Sequence, residues 1–293
     1  MDLKYLEHIK RYAIIAMFSD DDLMDMLVLK GGNVLDLFYG VAARSSIDID
    51  LSMETEFEKE NIEEAKAKVE KALKQTFNEA GYIAFDIKFF ETPPNLTPDL
   101  KNFWGGYEIE FKIIEMARYS DLKSDITSLR RNALVVGPKN RRKFSIQISK
   151  FEFCEQKQKH DLKGYRVYLY SPEMIVFEKI RAICQQMPDY KKIVKSSHQT
   201  ARARDFVDIY YLLKKFTIKI DSRENIDLLK CIFRAKKVPL KLIGEIGNYR
   251  EFHRQDFDSV KDTVKPGIKL KDFDYYFDYT IRICKPLKAL WKI

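Results

Sequence analysis

Cysteine is scarce in this chain and shows no paired spacing. Cys154, Cys184, Cys231 and Cys284 are too few and too scattered over 293 residues for a disulfide framework or a zinc site. They suit a protein kept in a reducing cytoplasm. Histidine is equally sparse: His8, His160, His198 and His253 form no His-Glu-x-x-His helix. There is no Gly-Lys-Ser/Thr phosphate loop and no Gly-x-Gly-x-x-Gly turn, which removes two familiar nucleotide cradles. The longest apolar runs, such as Tyr12 to Phe18, fall far short of the roughly 20 residues that span a bilayer. Met1-Asp2-Leu3-Lys4 leads into a charged amphipathic helix and not a secretory signal, so a cytoplasmic location is expected.

Apolar residues are plentiful at 45%, with 20 Phe and 16 Tyr, enough to build cores and to exclude a disordered chain. A length of 293 residues favours two domains over one enlarged core. Charge is divided unevenly between them. Residues 1–150 hold 22 Lys and Arg against 25 Asp and Glu, a net of −3, whereas residues 151–293 hold 30 against 19, a net of +11. Clustered cations release counterions on meeting a polyanion, so nucleic acid is the expected partner of the carboxyl half. Solvated lysine-rich helices would produce the same count.

The apolar spacing predicts a helix over 2–18, a short strand at Leu27-Val28-Leu29 and a second helix from Val34 to Tyr39. A strand over 46–52, a charged helix from Glu58 to Ala80 and strands at Tyr82–Phe90 and Gly106–Glu115 follow. A helix around 119–131, a basic turn at 139–143 and strands at 144–150 and 164–170 complete an α+β arrangement, a mixed sheet flanked by helices. From Ser171 the pattern is almost wholly helical, and Ser171-Pro172-Glu173 reads as an N-cap, a first-turn proline and an acid at the positive helix end. Helices are expected over 172–186, 202–215, 223–236, about 239–249 and 272–291, with 188–200 as a polar loop. The domains are therefore expected as 1–170, then a helical bundle over 171–293.

Three constellations stand out. Gly31-Gly32-Asn33 follows a strand and opens a helix, putting bare backbone N–H groups where a phosphate can bind. Fifteen residues on, Ser46-Ile47-Asp48-Ile49-Asp50-Leu51-Ser52 alternates, so as a strand it would project Asp48 and Asp50 from one face with Cα atoms roughly 7 Å apart. Two such carboxylates suit a hard cation such as Mg²⁺, and Arg44 and Ser46 just upstream would suit a triphosphate. An exposed edge carrying alternating acids would look the same. Second, Lys179 has Ile175, Val176, Ala182 and Ile183 as its helical neighbours, so its ammonium must either snorkel outward or meet an anion. Third, Arg202-Ala203-Arg204-Asp205-Phe206-Val207-Asp208 opens a helix on which Asp205 and Asp208 are neighbours and Arg204 can pair with Asp208.

Taken together, Lys30-Gly31-Gly32, the run from Arg44 to Leu51, Glu178-Lys179 with Arg181-Ala182, and Arg204-Asp205-Phe206-Val207-Asp208-Ile209-Tyr210 resemble the AbiEii/AbiGii abortive-infection toxin family. That family is a branch of the DNA polymerase β-like nucleotidyltransferase superfamily. The resemblance spans residues 30 to 210. It implies a nucleotidyltransferase domain followed by a helical bundle, with Asp48 and Asp50 holding Mg²⁺ as catalytic carboxylates. It further implies that Gly31, Gly32, Asn33, Arg44 and Ser46 receive the NTP, and that Lys179 contacts the triphosphate across an interdomain groove. By the same resemblance Asp205 and Asp208 would help order that site, Arg204 and Asp208 would contact the NTP, and Lys179 and Asp205 would be catalytic residues beside Asp48 and Asp50. Asn33 stands where relatives carry Ser or Thr. Gln147 stands where the superfamily has a third carboxylate, and Glu110 is the candidate substitute ligand.

The expected activity is Mg²⁺-dependent transfer of a nucleoside monophosphate from an NTP to an RNA, such as a tRNA acceptor, or to a protein hydroxyl. The chain would then be the toxin half of a bacterial toxin–antitoxin pair, with a cognate antitoxin as partner. Gln147 motivates a second reading, a catalytically silent relative that binds nucleic acid or protein. Phosphoryl transfer to protein from the same fold is a third.

Overall fold

The computed structural model describes residues 3–41, 48–58, 61–137, 139–265 and 267–291. They gather into two compact units, one containing the described residues up to Gly31 and those from 48 to 169, the other those from 32 to 41 and from Tyr170 onward. Arg44, Ser46 and Ile47 lie outside the described residues.

The first unit is built on a mixed seven-stranded sheet. Its strands are β1 (Val28–Lys30), β2 (Ile49–Ser52), β3 (Tyr82–Thr92), β4 (Gly106–Glu115), β5 (Phe144–Ser149), β6 (Gln158–Leu162) and β7 (Tyr165–Leu169), in the spatial order β3-β4-β5-β2-β1-β7-β6. The β2–β5 and β1–β7 pairs are parallel and the others antiparallel. Residues that pair across a ladder share a face, so the two-residue alternation of each strand sorts the sheet into an oily side and a polar side. Tyr107, Ile148, Leu51 and Leu29 form one apolar row, and Ile109, Ile146 and Ile49 the next. All seven are essentially buried.

Helices α1 (Leu3–Phe18) and α4 (Ile62–Glu79) supply the covering layer, with α2 (Asp21–Met26) between them in sequence. Phe77 of α4 meets Phe111 of β4 at 5.7 Å, and Phe111 stacks on Phe144 of β5 at 5.5 Å. Helix α3 (Gly31–Leu37) starts at the last residue of the first segment. The single helix expected over 119–131 is instead two, α5 (Met116–Leu122) and α6 (Ile126–Asn132). Asp125 explains the break: its carboxylate accepts the Thr127 N–H at 2.9 Å and starts α6 as an N-cap. Strand β6 escapes the sequence pattern because Gln158-Lys159-His160-Asp161 carries no apolar alternation. It forms as an edge strand through the turn at Lys163 and Gly164, both at positive φ.

The second unit is helical: α7 (Pro172–Cys184), α8 (Pro188–Lys191), α9 (Ala203–Lys215), α10 (Arg223–Ala235), α11 (Arg250–Arg254), α12 (Phe257–Lys261) and α13 (Phe273–Cys284). Ser171 caps α7 by accepting the Met174 N–H at 3.2 Å, as its sequence requires. The stretch Leu240–Tyr249 is a 3-10 helix, not the expected α-helix, and α8, α11 and α12 are short helices that periodicity alone does not reveal. The helix expected over 272–291 stops at Cys284 because Pro286 has no N–H to donate, and the chain tightens into a 3-10 turn over Lys285–Leu290. Phe206 anchors the core between Phe273 at 5.6 Å and Phe277 at 5.1 Å.

The segment 32–41 belongs to this second unit, not to the amino-terminal one that a linear division assigns it to. The Tyr39 hydroxyl donates to the Tyr170 carbonyl at 2.7 Å, and the Lys215 ammonium donates to the Tyr39 carbonyl at 2.6 Å. Asp36 is ion-paired with Lys265.

Candidate functional site

The polar face of the sheet carries the first group of candidates. Lys30, Asp50, Gln147 and Glu108 are register partners in turn, forming one row across β1, β2, β5 and β4. Asp50 is half-buried in the middle of this row, on the side opposite Ile49 and Leu51, as alternation requires. Gly31 touches it from the end of β1. That glycine has φ +73°, and a Cβ placed there would lie 2.5 Å from Asp50 Oδ2, so any other residue would be both strained and in collision. The Gly31 backbone therefore sits directly against a carboxylate. Since α3 has seven residues, the glycine acts here through space and φ more than through a long helix dipole.

Asp48 lies at a bend one residue ahead of β2, which is shorter than the strand expected over 46–52. Its side chain is 43% exposed, and Oδ1 accepts from Arg141 Nη2 at 2.9 Å. Arg141 is held in turn by donating its Nε–H to the Lys143 carbonyl at 3.1 Å. The neighbouring Gly137 pairs with Arg141 in an isolated bridge, and a Cβ on Gly137 would come within 3.3 Å of the arginine Cβ and Cδ. The glycine thus clears a path for the arginine stem.

Glu110 does not join this pair. It sits on β4 opposite Ser145 and forms an ion pair with Lys143. Glu108, one row over, accepts from the Ser145 hydroxyl at 2.8 Å. Gln147 occupies the place between Asp50 and Glu108, so a neutral amide separates the two acids. Among the described residues no three Asp, Glu, His or Cys side chains are close enough to share a metal ion. On this face the carboxylate of the strand itself is Asp50, with Asp48 at the bend just ahead of it.

The second group lies within the helical unit. Lys179, on α7, is 4% exposed and does not snorkel. Its ammonium donates to Asp205 Oδ1 at 2.9 Å and to Asp208 Oδ2 at 2.8 Å, both on α9. The two acids are one helical turn apart, so a single ammonium reaches both. Arg202 closes on Asp205 Oδ2 at 2.5 Å. Burial raises the Asp205 pKa, but Arg202 and Lys179 outweigh it and hold the carboxyl well below its usual range. The Asp205–Lys179–Asp208 group is therefore a charged, fully paired cluster with little water around it. Arg204 does not pair with Asp208: it is half-exposed and faces Asp256 at 3.9 Å.

Two residues without a role in the sequence reading, Arg202 and His253, complete this cluster. Arg202 could have been found from its i, i+3 spacing to Asp205. His253 carried no such signal, being 51 residues away from the Arg202 N–H that its Nδ1 accepts at 3.2 Å. It is wholly buried against Phe206 at 5.2 Å, and burial pushes its pKa down to about 4, with Asp205 pulling it up and Arg202 pulling it down. In the first unit the missed residue is Arg141, whose only sequence signal was its place in the basic turn.

Comparison with known proteins places the chain in a family. The family model described as "Nucleotidyl transferase AbiEii toxin, Type IV TA system" matches residues 13–279. No curated protein matches. Among solved structures, JHP933 from Helicobacter pylori is similar at 18% identity and a TM-score of 0.51, covering 100% of this chain and 95% of that one. A candidate nucleotidyltransferase from H. pylori is 17% identical with a TM-score of 0.49, covering 100% and 98%. With the match running over most of its length, the chain belongs to the AbiEii nucleotidyl transferase toxin family and is a nucleotidyltransferase.

Proposed function

We propose that the protein transfers a nucleoside monophosphate from an NTP to an RNA hydroxyl, with a tRNA acceptor end as the preferred substrate class, and that it does so with Mg²⁺ on Asp48 and Asp50. The observation that carries this reading is the pairing of Asp50 with the bare Gly31 backbone, two residues from a half-exposed Asp48. Bound Mg²⁺ would supply charge neutralisation at the triphosphate and alignment of the attacking and leaving oxygens. Asp48 and Asp50 would provide its protein oxygens, Asp50 being held against the Gly31 backbone. The net +11 of residues 151–293 supports a polyanionic acceptor. As an AbiEii relative the chain would act as the toxin of a type IV pair, with a cognate antitoxin as its partner.

The test is incubation with each α-labelled ribonucleoside triphosphate, Mg²⁺ and total RNA. Label in RNA that disappears with Asp48→Ala supports nucleotidyl transfer. Label carried only from the γ position to protein would instead identify phosphoryl transfer. Gln147 motivates one competing reading, a silent relative that binds RNA. Salt-sensitive RNA binding with no label transfer, unchanged by Asp48→Ala, would establish that reading.

A further inference from the structure

We propose that Arg141 is a nucleotide-binding residue that holds Asp48 until metal arrives and then transfers its guanidinium to a non-bridging phosphate oxygen of the NTP. This rests on the metal-nucleotide reading of Asp48 and Asp50.

The other two bases of the turn are engaged elsewhere. Arg142 donates to the Ala133 carbonyl and Lys143 pairs with Glu110. Both are engaged with β4 or with the segment following α6. Arg141 alone of the three reaches the acid pair, at 2.9 Å from Asp48 Oδ1. Its approach is prepared by the chain: Gly137 lacks the Cβ that would crowd the stem, and the Nε–H bond to the Lys143 carbonyl aims the remaining nitrogens.

A guanidinium at this place has two opposite consequences. Against a metal-free Asp48 it supplies a counter-charge at 2.9 Å. Against a bound divalent cation it is a like charge on the same carboxylate, and the contact becomes unfavourable. The side chain is 35% exposed, so its terminal nitrogens border solvent. A triphosphate arriving with the cation presents oxygens that a guanidinium binds with two parallel N–H bonds, better than the single bond it makes to Asp48. No proton or covalent bond changes hands in this exchange. Arg141 acts by binding.

Opposite effects on metal and nucleotide make the inference testable. Mn²⁺ binding would be followed by electron paramagnetic resonance in the absence of nucleotide. Binding of whichever of ATP, CTP, GTP and UTP is taken up with Mg²⁺ would be followed by calorimetry. Wild type would be compared with Arg141→Gln and Arg141→Lys, each checked for an unchanged thermal midpoint. Arg141→Gln is expected to tighten Mn²⁺ binding several-fold while weakening Mg²⁺–NTP binding by about 10- to 100-fold, the loss of a charge-assisted hydrogen bond. Arg141→Lys, retaining the charge without the fork, should fall between on both. If the two affinities move together or neither moves while wild type binds Mg²⁺–NTP, Arg141 only braces the turn and the inference is wrong. If wild type itself takes up no Mg²⁺–NTP, the metal-nucleotide reading fails and this inference fails with it.

Discussion

The two aspartate pairs of this protein are built from the same side chains and have opposite electrostatics. Asp50 lies on the polar side of a sheet and Asp48 at the bend just ahead of it, 43% exposed and bonded to Arg141. Asp205 and Asp208 have side chains about 2% exposed and share one buried ammonium, with Arg202 alongside. Solvent reaches Asp48, so a cation from solution can compete there with Arg141. The second pair already has its cation. The lesson is that sequence spacing locates acids, but burial decides whether they recruit a charge or are neutralised by a resident one.

Substitution should separate the two pairs cleanly. Asp50→Asn is expected to lower nucleotidyl transfer by about 10²- to 10⁴-fold, the scale of losing several kcal/mol of charge stabilisation, while the thermal midpoint stays near that of wild type. A midpoint that falls with activity would break the contrast. Lys179→Met should show the reverse priority. Removing the ammonium leaves two buried carboxylates facing each other, and breaking such a group costs roughly 3–5 kcal/mol of stability, measurable as a drop in urea midpoint. Activity loss in that variant has to be read at a temperature where the protein is still folded.

The pH dependence sharpens the picture of the buried cluster. His253 is neutral in the folded protein, its pKa lowered to about 4 from the model-peptide value of 6.5. The unfolded chain thus binds more protons between these values, and stability falls as pH drops from about 6.5 towards 4. The shift amounts to about 3 kcal/mol at 1.36 kcal/mol per unit, taken as an order of magnitude. His253→Leu should flatten the stability profile in that window. A variant whose slope matches wild type would mean that other groups carry it. The smallest effect expected is that of Glu110→Gln, which removes an exposed-side partner of Lys143. It should change stability by less than about 1 kcal/mol and leave transfer unchanged.

Much of this was legible in the sequence where a local rule decides the outcome. Alternation in Gly106–Glu115 gave a strand with those bounds, and Ser171-Pro172 gave the start of α7. The apolar neighbours of Lys179 showed that it must snorkel or find an anion, and Asp205 and Asp208 are that anion pair. What stayed hidden depends on contacts between distant segments. His253 reaches the Arg202 N–H across 51 residues, and Arg141 reaches Asp48 across 93. Polar β6 forms because its neighbour β7 offers an edge, not because of its own pattern. Segment 32–41 joins the helical unit through Tyr39, Lys215 and Asp36, none of which has a periodic signature.

The most direct test is a crystal structure with Mn²⁺ and a non-hydrolysable NTP analogue, read by anomalous scattering. The expected result is a cation peak bonded to carboxylate oxygens of both Asp48 and Asp50 and to a triphosphate oxygen. A cation bound elsewhere, or a nucleotide seated with Asp48 and Asp50 bonded to no metal, would contradict it.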